Sequence, residues 1–324
     1  MTLFALDELE ATAATVRNFV PPTPAYEWPL LATRTGAKVV VKHENHTPTG
    51  SFKARGGLAY VDALRRAGRL PAGLVTATRG NHGQSVAIAA AHNGIPAVIV
   101  VPEGNSLEKN AAIESFGGQL TIAGKDFDES RAIAARLQDE LGYHFIPSFH
   151  RELVKGVATY ALELFRSRPD LDVVYVPIGM GSGICGLITV RDLLGLKTEI
   201  VGVIAENAPA FALSLQAGRP VQTDSARTFA DGLACRDPQA AAFEIIATGV
   251  ARIVVVTDDE IADAIRIYFA TTHNVAEGAG AAPLAALIKE RDRYAGKRVG
   301  LILSGGNIDM PIYASILSGQ TPTV

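Results

Sequence analysis

The residue with the clearest chemical potential is Lys53, at the end of Thr49-Gly50-Ser51-Phe52-Lys53, between the apolar run Lys38–Lys42 and a helical segment opening near Ala54. The first turn of a helix presents backbone N–H groups that favour nearby negative charge. An amine placed there against Phe52 and partly desolvated has a depressed pKa, so part of it is neutral and nucleophilic near pH 7. Such a lysine can form a Schiff base. A lone Ser-x-Lys is equally an ordinary surface lysine, so the weight falls on the loops that accompany it.

Three more loops have unusual composition, each after a short apolar run. Thr78-Arg79-Gly80-Asn81-His82-Gly83-Gln84 follows Leu74–Ala77 and runs into a helix, where backbone N–H groups with the Thr78 and Asn81 side chains could hold a carboxylate. Gly179-Met180-Gly181-Ser182-Gly183 follows Val173–Ile178, and its successive N–H groups can form a nest for a phosphate. It lacks Walker spacing and a clearly placed acidic residue for a ribose, which disfavours a nucleoside triphosphate or nicotinamide cofactor. Ser304-Gly305-Gly306-Asn307 follows Val299–Leu303; its hydroxyl can meet a ring nitrogen and its glycines leave room for a flat heterocycle. Each alone is also readable as a plain turn. Together they supply an amine, a carboxylate cradle, a phosphate cup and a hydroxyl for a pyridine nitrogen, the inventory required by pyridoxal phosphate (PLP) and an amino acid.

The elements that must position these loops alternate. After a helix over residues 1 to about 20, stopped by Pro21-Pro22, come Leu30-Leu31, the Lys38–Lys42 strand and a helix from Ala54 to Ala67. Eight further strand–helix units follow, starting at Leu74, Ala97, Leu120, Phe145, Val173, Ile200, Ile253 and Val299. Such alternation predicts an α/β fold with parallel sheets covered on both faces and ligands beyond the carboxyl ends of the strands. The strands exceed one comfortable sheet, predicting two doubly wound parallel-sheet lobes. We expect residues 1–52 and 148–324 to form a large lobe and 53–147 a small mobile one.

Of 324 residues, 48% are apolar, enough for a substantial core, and the net charge of −3 offers no basic field for nucleic acid. No apolar run reaches membrane length, and the acidic N-terminal segment does not resemble a signal peptide. Cys185 and Cys235 are isolated in sequence, consistent with a reducing cytoplasm.

With these motifs assembled, the chain resembles the fold-type II PLP enzymes, the tryptophan synthase β-like family of serine and threonine dehydratases. The matching pieces are Thr49–Lys53, Gly80–Gln84, Gly179–Ser182, Ala230-Asp231-Gly232-Leu233-Ala234, Val275-Ala276-Glu277 and Ser304–Asn307, in the family's order over nearly the whole chain. The resemblance implies that Lys53 forms the Schiff base with PLP and Phe52 flanks the ring. It further implies that Asn81 meets the ring hydroxyl, Gly179, Met180, Gly181 and Ser182 hold the phosphate, and Ser304 faces the pyridine nitrogen. Ser51, Thr78, Asn81 and His82 would surround the substrate carboxylate, and Glu277 would lie near the ring. The implied reaction is β-elimination from a serine- or threonine-like β-hydroxy amino acid, with the freed Lys53 amine as base, giving a 2-oxo acid and ammonia. The family is usually dimeric.

The departures are informative. Arg79 stands where racemases of the family carry a proton-shuttling serine, so racemisation is disfavoured, and a cleft-facing Arg79 would bind a second anionic group or polar tail of the substrate. Met180, Ser182 and Gly183 alter the usual glycine run; with Thr78–Asn81 they are similar to the dehydratases of hydroxyectoine breakdown. Metal-binding relatives carry a second carboxylate after the one matching Glu206, but Ala212 stands there, so no divalent metal is expected, while a monovalent ion stays open. His43 and His46 are expected to face solvent or cap a turn. With so little sequence after Leu317 we expect no regulatory domain and a catabolic role. The remaining alternatives are another PLP elimination or replacement, a weak racemase, or a nucleotide-binding protein using the glycine cup alone.

Overall fold

The computed structural model describes residues 3–323, so the first two positions of the predicted N-terminal helix lie outside the described residues. That helix covers Leu6–Val16. Ten strands follow in chain order: β1 (Ala25–Glu27), β2 (Lys38–His43), β3 (Leu74–Ala77), β4 (Ala97–Val101), β5 (Gln119–Ile122), β6 (His144–Phe145), β7 (Val173–Pro177), β8 (Glu199–Ala205), β9 (Arg252–Val256) and β10 (Arg298–Leu303). They form a six-stranded sheet of order β1-β2-β10-β7-β8-β9 and a four-stranded sheet of order β5-β4-β3-β6. The chain leaves the larger sheet after β2 and returns at β7.

All pairings are parallel except β1 against β2, a three-residue edge strand that the alternation did not predict. It escaped notice because Ala25-Tyr26-Glu27 is short and half exposed, without an apolar run to mark it. The adjoining Leu30-Leu31 lies in a helix, Pro29–Thr35, with the proline in its first turn where no N–H is needed.

Successive residues of a strand face opposite sides, and the core follows that rule. Val39, Val41, Val173 and Tyr175 enter one apolar cluster of the larger sheet, while Val40, Val174 and Val176 enter the other. Two smaller clusters cover the faces of the four-stranded sheet. One core element went unread: the Gly278–Lys289 helix is buried almost all round, so its Gly/Ala-rich sequence shows no amphipathic period. No helix among the described residues is long and apolar enough to cross a membrane.

Candidate active site

Because β2, β10 and β7 are neighbours, the loops leaving their carboxyl ends converge. The loop after β2 is stitched to the one after β10: Phe52 N donates to Ser304 O at 3.0 Å, Gly306 N to Gly50 O at 2.9 Å, and Ser51 pairs with Gly305 as an isolated antiparallel bridge. Ser304 is thus held beside the first turn of the Lys53–Arg66 helix, itself buried at 2% exposure.

Lys53 is partly buried, with its ammonium 4.9 Å from the Phe52 ring centroid and 3.4 Å from Ser182 Oγ. Burial lowers its pKa to about 8, against the opposing pull of Glu277. The turn at 179–182 meets it from β7. Gly181 has φ +94°, open to glycine, and caps the Ser182–Leu193 helix, whose first amides lack intrahelical partners. At Gly179 a side chain is impossible for another reason: a Cβ would lie 2.1 Å from Gly232 O. The cup therefore closes with backbone against backbone, leaving N–H groups as its functional lining.

From the smaller sheet, β3 delivers the 78–84 loop. Thr78 Oγ1 accepts from Gly80 N at 2.9 Å and Gly83 N at 3.3 Å, so this side chain shapes the loop. Asn81 Nδ2 donates to both oxygens of Glu277 at 3.0 Å, and Asn81 Oδ1 accepts from Asn307 Nδ2 at 2.7 Å. Asn307 Nδ2 also donates to Thr49 O at 2.8 Å, tying three of the four loops together. Burial pushes Glu277 up to about 7, with Lys109, Asn81 and Lys53 pulling the other way. Burial and the nearby Lys53 charge drop His82 to about 3, so its ring is neutral.

Three buried polar atoms here have no hydrogen-bond partner: Ser51 Oγ, His82 Nε2 and Gln84 Nε2. Buried groups are rarely left so, and three in the loops that converge here are open to the polar groups of a guest. Met180 is partly buried and packs on the core beneath the cup. Arg79 is exposed and makes no ion pair among the described residues.

One sequence expectation fails. His43 is fully buried, accepting from Trp28 Nε1 at 3.0 Å and stacking on His46, because it ends a strand inside an aromatic cluster; only His46 is exposed. Sequence reasoning also missed a buried charge network behind Lys53. Arg55 pairs with Glu44 and Glu163 at 2.8 Å, and Lys42 with Glu163 at 2.6 Å. The available signal was Lys42 inside an otherwise apolar strand. Among the described residues, no three His, Cys, Asp or Glu side chains converge as a metal would require.

Comparison with known proteins agrees with this geometry. The chain is 35% identical over 317 residues to an L-threonine ammonia-lyase of Thermotoga maritima, covering 98% of this chain and 79% of that one. It is 32% identical over 320 residues to an L-threo-3-hydroxyaspartate ammonia-lyase of a Pseudomonas species, covering 98% and 100%. The structure of maize serine racemase superposes with a TM-score of 0.90 at 27% identity, covering 97% of each chain. A family model described as pyridoxal-phosphate dependent enzyme matches residues 16–305, and with a dehydrated lysine facing a glycine-built anion cup, the chain belongs to that family.

Proposed function

We propose that the protein is an ammonia-lyase that removes water from a serine- or threonine-like β-hydroxy amino acid, leaving a 2-oxo acid and ammonia. The observation that carries this reading is the Lys53 amine, lowered to about 8 and 3.4 Å from Ser182 at the head of the anion cup. The residues present fit PLP: a nucleophilic amine, a cup lined by backbone amides, and a buried Ser304 hydroxyl. When bound, PLP supplies the electron sink that makes the substrate Cα–H acidic.

The chain's own residues supply the rest. Lys53 would hold the cofactor, and its Nζ, once free, would be placed to take the substrate α-proton as general base. Phe52 would flank the ring, and the amides of Gly179, Met180, Gly181 and Ser182 would hold the phosphate. Ser304, buried and neutral, would face the pyridine nitrogen and so would leave the ring a modest electron sink, which suits an elimination. Ser51 Oγ and Gln84 Nε2 are unpaired donors that would serve the substrate carboxylate, whereas the neutral His82 ring, bonded to the Ile146 backbone, leaves Nε2 as an acceptor that would take a donor of the substrate instead. Asn81 joins them or the ring hydroxyl by giving up a bond to Glu277. The Cα–H and Cβ–O bonds break, water leaves, and the released enamine hydrolyses to the oxo acid and ammonia.

The names of the relatives support the reaction class, two being ammonia-lyases acting on β-hydroxy amino acids. The Arg79 guanidinium cannot replace the serine of a racemase, and only if it turns into the cleft would it take a second anionic group on the substrate. Free Cys185 and Cys235 support a cytoplasmic enzyme, and a homodimer of two-lobed protomers, 53–147 being the smaller lobe, completes the proposal.

The test is a panel of serine, threonine and 3-hydroxyaspartate stereoisomers, scored for ammonia and oxo acid with wild type and Lys53→Ala. Wild-type turnover of at least one member, abolished in the variant, is expected. A yellow, borohydride-sensitive holoprotein that turns over none of them would overturn the lyase assignment while leaving the cofactor assignment intact.

A further inference from the structure

The Ala230–Ala234 motif has no part in the chemistry above, yet Asp231 and Gly232 occupy a pivotal place. Gly232 O is the atom packed against Gly179, at the edge of the anion cup. Asp231 forms a short ion pair with Lys109, which belongs to the Leu107–Ser115 helix beside the four-stranded sheet. The Lys109 side chain is 10% exposed, and its stem lies over Gly80: a Cβ on Gly80 would come within 2.6 Å of Lys109 Cδ. One side chain therefore reaches from the residue before Asn81 to the residue before Gly232.

The same helical turn makes two more bonds across the seam. Ser106 Oγ donates to Asp309 Oδ1 at 2.5 Å, and Glu108 Oε1 accepts from Met310 N at 2.8 Å. Ser106 and Asp309 are the N-caps of their own helices, so the two helix starts are clasped together. Burial pulls the Lys109 pKa down, but Asp231 and Glu277 more than offset it, leaving it raised and the ammonium charged.

We propose that Lys109 is a positioning residue: clamped between Gly80 and Asp231, it sets the separation of the 78–84 loop from the phosphate turn and latches the two sheets together around the cleft. It acts through its neighbours: Gly80, before Asn81, on one side and Asp231, before the Gly232 that packs on Gly179, on the other. This role rests on the site assignment above, because only then does that separation govern a reaction. Misplacement by about 1 Å is enough to lower a rate by up to about two orders of magnitude.

The experiment compares Lys109→Met, which keeps the stem and removes the charge, Asp231→Asn, and the double variant. Two readouts are taken: kcat/KM with the best panel substrate, and amide hydrogen exchange of residues 78–84 in the apoprotein. The expected result is a roughly tenfold loss of kcat/KM in each single variant, faster exchange in 78–84, and a double variant no worse than either single one. Lys109→Arg should recover most of the loss. Unchanged exchange in both single variants, or losses that simply multiply in the double variant, would overturn the latch. Because exchange is read without substrate or cofactor, a faster 78–84 loop in a protein inactive on every panel substrate would refute the lyase reading and uphold the latch.

Discussion

Two cations stand two residues apart at the start of one helix in opposite circumstances. Arg55, fully buried, uses its guanidinium completely: Nε and Nη2 grip Glu44 at 2.8 and 3.1 Å, Nη1 and Nη2 grip Glu163 at 2.8 and 3.0 Å, and Nη1 reaches Thr159 at 3.1 Å. Lys42 completes the set, with Glu163 at 2.6 Å and Thr23 O at 2.9 Å. Lys53 has only Ser182 at 3.4 Å, and around it Ser51, His82 and Gln84 carry unpartnered atoms. One side of the helix start is saturated and the other is left wanting. The saturated side ties the helix start to its neighbours; the wanting side holds polar groups that, on the proposed function, a ligand would partner. A protein can keep such groups dry only where the neighbouring structure over-determines them.

The comparison breaks most visibly at Arg55. Arg55→Ala leaves Glu44 and Glu163 buried with Lys42 as their remaining cation, and truncating one partner of a buried network costs about 3–5 kcal/mol. The urea midpoint should fall accordingly, with activity lost through the displaced Lys53 turn. A loss under about 1 kcal/mol would mean the network does not anchor the helix.

Removal of the other cation should do the reverse. Lys53 has a native pKa of about 8 against an ordinary 10.5, so between these values the unfolded chain binds more protons and stability rises with pH. Below pH 8 the full penalty applies, on the order of 3 kcal/mol. Apoprotein Lys53→Met should therefore be more stable than wild type at pH 7, with the gap closing as pH climbs from 8 toward 10.5. Urea titrations at stepped pH measure it; a gap that does not change across that window would show that Lys53 is not desolvated.

This contrast also marks what the sequence could reveal. The lysine, the glycine turn and Ser304 were legible because each follows a strand in a fixed context, and backbone chemistry at a strand's carboxyl end depends little on distant partners. Strand–helix alternation similarly exposed both sheets. Arg55, Glu44, Glu163 and Lys42 were not legible as a unit: they come from a helix, a turn, another helix and a strand up to 121 residues apart, and only folding shows that each charge answers another. Lys109 and Asp231, 122 residues apart, were hidden in the same way. The Gly278–Lys289 helix failed for lack of pattern, being apolar on every side.

The smallest effect gives the sharpest discrimination. Ser51 is fully buried and its backbone is pinned whatever its side chain: its N–H donates to Thr47 Oγ1 at 2.9 Å, its carbonyl accepts from the same hydroxyl at 2.7 Å, and it bridges to Gly305. Ser51→Ala therefore removes only Oγ, an atom with no partner. If that hydroxyl is reserved for the substrate carboxylate, its loss relieves an unsatisfied buried group and stabilises the apoprotein by about 1 kcal/mol, while depriving the bound substrate of a charge-assisted hydrogen bond worth about 1.5–3 kcal/mol. Stability should rise as KM rises roughly tenfold or more. Opposite signs from one atom are what a ligand-reserved group must give, whereas a structural hydroxyl gives a fall in stability with KM unmoved. Urea denaturation of the apoprotein and steady-state kinetics of the holoenzyme, on the same preparation, decide between the two.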